Sequence, residues 1–135
     1  YDRLLFGKAA ELTALAGLNK TTIPALIVHG TGDKVVDFYG SGIINKREQF
    51  TNPNIQYLIL DDEERNGHNN LLKSMESIAY ANQLNAELRA ISEQYDGEIP
   101  YEVKREFFAK VDKDLFHEVN RELMDTINNF FLNCL

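Results

Sequence analysis

Ile23-Pro24-Ala25-Leu26-Ile27-Val28 contains no polar side chain, and His29-Gly30-Thr31-Gly32-Asp33 follows it at once. The apolar run is too short for a helix and lacks polar alternation. A strand covered on both faces inside a parallel sheet reads this way. Pro24 is tolerated because a strand's first residues give up no ladder bond. The segment after Val28 is a tight loop, and it ends on a carboxylate.

Downstream, Asn52-Pro53-Asn54 marks a turn, and Ile55-Gln56-Tyr57-Leu58-Ile59-Leu60 is a second short, mostly apolar run. Between the two runs, Phe38 to Phe50 reads as a helix weakened by Gly40 and Gly42 and starting near Ser41. Strand, helix and strand in that order give a right-handed unit with parallel strands. The second strand feeds a polar loop, Asp61 to His68. A long helix is expected from Asn69 to about Tyr95, broken by Asp96-Gly97-Glu98-Ile99-Pro100. A short helix from Tyr101 to Lys110 and a last one from Lys113 to Leu132 follow. Phe116, Val119, Leu123, Ile127 and Phe130 share one face of that last helix. Upstream, Leu5, Ala9, Leu12 and Leu15 give an amphipathic helix over residues 3–16, with Gly17 as its C-cap. No internal repeat or low-complexity tract interrupts the chain.

A length of 135 residues suits one modest domain, and 44% hydrophobic with 26% charged residues is ordinary globular composition. The net charge of −7 argues against nucleic acid and against an anionic membrane surface, both of which need clustered Lys and Arg. No apolar run approaches the roughly 18 residues a membrane span requires. No signal segment stands at Tyr1-Asp2-Arg3, and the absence of an initial Met suggests a portion of a longer chain. The lone cysteine, Cys134, has no partner for an internal disulfide, so a reducing, cytoplasmic setting is expected.

Two loops carry the chemistry. Each follows a strand, and catalytic groups of open α/β sheets gather at the C-terminal ends of strands. The first loop offers Asp33 and the second His68. A serine hydroxyl becomes a useful nucleophile when an imidazole takes its proton, and the imidazole needs a carboxylate on its other nitrogen. Asp33 has a plainer reading as a turn residue, and His68 as an ordinary loop histidine; their order after two strands favours the catalytic pair. Asp37 competes with Asp33 but fits better as a cap for the following helix. His29 is expected to be structural and His117 simply exposed. Asp61 to Glu64 reads as a solvated loop, and Cys134 as a terminal residue with no basic neighbour. The three His and one Cys show no metal-site spacing, so neither metal nor cofactor is expected.

These features resemble the C-terminal part of an α/β-hydrolase. Residues 23–36 are similar to the family's acid segment, an apolar strand followed by His-Gly-x-x-Asp-x-x-Val. Gly67-His68 resembles its terminal Gly-His, and Ile127-Asn128-Asn129-Phe130-Phe131 the end of its closing helix. The resemblance covers residues 19–72 best. It implies nucleophile, acid and histidine in chain order, with Asp33 as the acid and His68 as the general base. The Gly-x-Ser-x-Gly nucleophile elbow is not in this chain. Gly40-Ser41-Gly42 has the wrong spacing and lies downstream of the acid. Residues from about 80 to 114 stand as a helical insertion before the closing helix.

The expected fold is therefore α/β, a C-terminal fragment of an α/β-hydrolase fold with two parallel strands, flanking helices and a helical C-terminal extension. The resemblance implies a serine hydrolase acting on a small-molecule or peptide acyl substrate, inactive without the upstream serine. Two strands alone leave edges and apolar surface open, so self-association is expected. The competing expectation is a non-catalytic helical interaction or oligomerisation module, with Asp33 and His68 as relics.

Overall fold

Asn52 and Asn54 decide where the first strand begins. In the computed structural model, which describes residues 13–134 together with Leu5, Gly7 and Lys8, the Asn52 amide donates to the Ile23 carbonyl (3.0 Å). The Asn54 amide donates to the Thr22 carbonyl. Those carbonyls are thereby withdrawn from any ladder, and Pro24 has no N–H to offer. Strand β1 consequently spans Ala25–Gly30, two residues later than its apolar run suggests. Strand β2, Ile55–Leu60, matches the sequence expectation. The strands pair in parallel, Ala25 opposite Ile55 through Gly30 opposite Leu60, as a two-stranded sheet. The fold is thus mixed α/β.

The ladder starts at the Ala25 N–H to Asn54 carbonyl bond (3.2 Å) and ends at Thr31 N–H to Leu60 carbonyl (2.8 Å). By alternation, Ala25, Ile27, His29 and Thr31 face β2, and the peptide groups of Leu26 and Val28 point to the other edge. Among the described residues no strand pairs there. The expectation of a strand covered on both faces is not met. Only His29 and Gly30 of β1 are buried, and Ile59 of β2 is 41% exposed.

Helix α1, Ala14–Leu18, begins at its own N-cap, an extended Thr13 whose side chain accepts the Ala16 N–H, so it does not continue a helix running over residues 3–16; half of that expected span lies outside the described residues. Gly17 falls inside it, and Asn19 is the C-cap. The same Asn19 side chain bonds the Gln49 carbonyl (2.9 Å) and the Thr51 N–H (2.8 Å), tying α1 to the crossover.

The crossover holds a 3-10 helix, Ile43–Gln49, instead of an α-helix over residues 38–50. Asp37 turns the chain first, its carbonyl accepting the N–H groups of Gly40 (3.2 Å) and Gly42 (2.8 Å). The Asn45 amide then takes the Tyr39 and Gly40 carbonyls, an alternative to helical bonding. Ile44 is fully buried here and, with Phe38, Leu123 and Phe130, forms the apolar core of the described residues.

Two further helical expectations need correction. In place of one helix from Asn69, a 3-10 turn, Asn70–Leu72, precedes α2, Met75–Gln94. Between them Lys73 is extended and bridges to Val119. Ser74 caps α2 by accepting the Ser77 N–H (2.9 Å). Helix α2 ends where Asp96 and Gly97 take positive φ, 50° and 91°. Helix α3 is Tyr101–Ala109. The last helix is split into α4, Lys113–Phe116, and α5, Arg121–Leu132. The intervening strand-like contact draws Ser74 N–H to the Glu118 carbonyl (3.0 Å) and Asn120 N–H to the Leu72 carbonyl (2.9 Å). Val119, expected on the apolar face, is 47% exposed as a result, whereas Leu123 and Phe130 are buried. Among the described residues no helix is long and apolar enough to cross a membrane.

Candidate functional site

Asp33 sits three residues beyond β1, buried at 7% exposure. Its loop is shaped by its own side chain. Oδ1 accepts the N–H groups of Val35 (2.8 Å) and Val36 (2.9 Å), which leaves Oδ2 free to face outward from that turn. Oδ2 lies 2.8 Å from His68 Nδ1. The sheet register makes this possible, since Gly30 and Leu60 are opposite one another and both loops leave from the same end of the sheet.

Burial alone pushes the Asp33 carboxyl upward. The His68 ring N–H and the Val36 and Val35 amides outweigh it, and the carboxyl falls from 3.8 to about 2. At neutral pH Asp33 is therefore a carboxylate and can only accept. His68 must then carry a proton on Nδ1. In the neutral ring that leaves Nε2 with a free lone pair, and Nε2 has no hydrogen-bond partner among the described residues. The His68 side chain is 42% exposed, so this nitrogen can meet a group from outside the described fold.

His29 is buried beneath the pair. Its Nε2 bonds the Val36 carbonyl (2.9 Å) and lies 3.6 Å from Asp33 Oδ2. The ring meets Phe38 edge-on at 5.5 Å. Because the carbonyl is an acceptor, His29 Nε2 carries the proton. His29 thus holds the far side of the Asp33 turn and does not reach solvent.

Asp37 does not cap a helix, contrary to the sequence expectation. Its Oδ1 accepts the Tyr39 N–H (3.1 Å) and closes a turn, and Gly42 stands before the 3-10 helix. The acidic loop is exposed at Asp61 to Glu64. Asp62 Oδ2 receives two N–H groups of Arg65 (3.0 and 2.8 Å), and this hydrogen bonding holds the Asp62 carboxyl below its ordinary value. His117 is exposed at the end of α4, and Cys134 is exposed and free. Among the described residues no group of three or more His, Cys, Asp or Glu side chains is placed to hold a metal ion.

Gly30, Gly32 and Gly67 all lack positive φ. Gly30 and Gly32 matter because Asn66 lies against them: a Cβ on Gly30 would stand 2.0 Å from the Asn66 carbonyl oxygen. Asn66 carried no signal in the sequence, being one polar residue in a polar loop. No protein-family model, curated protein or solved structure matches this chain.

Proposed function

We propose that this chain supplies the acid and the histidine of a Ser-His-Asp hydrolase of the α/β-hydrolase type, acting on ester or amide bonds. The observation that carries the reading is the 2.8 Å contact between Asp33 Oδ2 and His68 Nδ1, built from two loops at one end of a parallel pair. The nucleophile comes from outside the described residues. Ser74 and Ser77 hydroxyls are committed to Glu118 and the Phe116 carbonyl, and no described serine bonds His68.

In this reading His68 Nε2 takes the proton of a serine hydroxyl as its oxygen attacks an acyl carbon. Asp33 stabilises the imidazolium without itself being protonated, as its depressed carboxyl requires. The imidazolium returns the proton to the leaving alcohol or amine, and water then hydrolyses the acyl-enzyme by the same route. The substrate is a small-molecule or peptide acyl compound, and the chain alone is inactive. The open edge of β1 is where further strands of such a sheet would add.

The test is a full-length protein containing this segment, assayed on p-nitrophenyl acetate beside its His68→Ala variant. Activity lost in the variant is expected. Equal rates in both would end the proposal.

The second reading, a helical interaction and self-association module, draws on exposed apolar side chains. Tyr101 and Phe108 of α3 are 73% and 54% exposed, and Phe131 and Leu132 of α5 are 62% and 60% exposed. It predicts a rise in mass with concentration by light scattering. A constant monomer mass would remove it.

A further inference from the structure

We infer that Asn66 is the positioning residue that seats the His68 loop on the Asp33 loop. The inference rests on the acid–histidine reading above and names what holds that pair together.

The His68 side chain is 42% exposed, and its own bond to Asp33 is one contact between two loops. Among the described residues, the other hydrogen bonds joining residues 61–68 to residues 30–37 both run through Asn66. Its carbonyl accepts the Gly32 N–H (3.1 Å), and its side-chain amide reaches the Thr31 hydroxyl (3.4 Å). On its other side Thr31 is fastened to β2 through the Leu60 carbonyl (2.8 Å). The Thr31-Gly32 segment is thus held from the strand end and from the histidine loop together.

The approach is close enough to dictate residue type. A Cβ on Gly30 would meet the Asn66 carbonyl oxygen at 2.0 Å and its carbon at 2.4 Å. A Cβ on Gly32 would meet the Asn66 side chain, Oδ1 at 2.4 Å and Cγ at 2.8 Å. Backbone therefore packs on Gly30, and the amide packs on Gly32. Asn66 is two residues before His68, so its seat fixes where the imidazole begins. It touches no reacting atom; it acts through His68.

The experiment follows the His68 Nδ1 proton by NMR in this chain and in Asn66→Ala, Gly32→Ala and the double variant. Water exchange of that proton is expected to rise about fivefold in Asn66→Ala, the worth of one neutral hydrogen bond. Gly32→Ala should give a rise as large or larger. The double variant should be no worse than the worse single one, because the atoms that crowd a Cβ at Gly32 all belong to the amide that Asn66→Ala removes. The non-additivity reads the direct contact between the two positions, and exchange at His68 Nδ1 reads whether that contact reaches the imidazole. Unchanged exchange in both single variants, or strictly additive rises in the double, overturns the inference. Should Asn66→Ala unfold the chain, Thr31→Val removes only the acceptor hydroxyl and carries the same test. Neither serine nor substrate enters this measurement. A full-length protein inactive on p-nitrophenyl acetate with the Asn66 effect intact defeats the hydrolase reading alone. An active one whose Nδ1 proton ignores Asn66 defeats this inference alone.

Discussion

Replacing Asp33 by Asn keeps the shape of the side chain and changes only which atoms accept. Two orientations of the new amide are open. In the first, its oxygen keeps the Val35 and Val36 N–H bonds, now 2.8 and 2.9 Å, and its NH2 faces His68 Nδ1 across 2.8 Å. Two donors cannot share that gap, so His68 must move its proton to Nε2 and accept at Nδ1. In the second, the His68 bond survives and the NH2 confronts two backbone N–H groups. The first orientation keeps three bonds and the second one, and at roughly fivefold per neutral hydrogen bond the difference of two is a preference of about 25-fold. Asp33→Asn is therefore expected to hold His68 mainly as the Nε2–H tautomer, which cannot take a proton from serine. The 15N shifts of the two ring nitrogens read the tautomer in this chain by itself. Under the hydrolase proposal, a longer protein containing this segment should lose kcat/KM on p-nitrophenyl acetate on the order of 10⁴-fold, the size that a wrong tautomer costs a triad. A variant whose His68 stays protonated on Nδ1 would refute the reasoning.

The remaining expectations concern stability. Asp33 has its carboxyl lowered in the fold, so its contribution is fully present above 3.8 and disappears as the pH falls through about 2. Urea midpoints between those two pH values should fall more steeply for the parent than for Asp33→Asn, and parallel curves would contradict this. Gly30→Ala forces the Asn66 carbonyl back by about 1.4 Å, the difference between 2.0 Å and the 3.4 Å of ordinary contact. Overpacking of this kind costs about 1–3 kcal/mol, readable in urea unfolding, and no change in midpoint would mean the loops are not in contact. Ile44→Ala empties a fully buried site, for which about 2–5 kcal/mol is the usual loss. A loss well under 1 kcal/mol by thermal or urea unfolding would show that Ile44 is not in the core.

Local signals carried the sheet. Ile55–Leu60 was legible because an unbroken apolar run between a turn and a polar loop has few other readings. The start of β1 was less so, because it is set by the amides of Asn52 and Asn54, about 30 residues away in sequence. The last helix is split into α4 and α5 for a related reason. Val119 continues the apolar spacing perfectly well, but bonds from Ser74 to Glu118 and from Asn120 to Leu72 hold the chain extended there. A few long-range hydrogen bonds outweigh helix preferences of a few tenths of a kcal/mol per residue.

For the candidate site, residue type was local knowledge and distance was not. A carboxylate and an imidazole, each in a loop after an apolar run, could be named from the chain alone. That Asp33 and His68, 35 residues apart, stand 2.8 Å from one another depends on parallel register and on Asn66 lying against Gly30 and Gly32. Hydrogen-bond geometry between loops is fixed by the packing of the backbones beneath them, and no periodicity or motif encodes that packing.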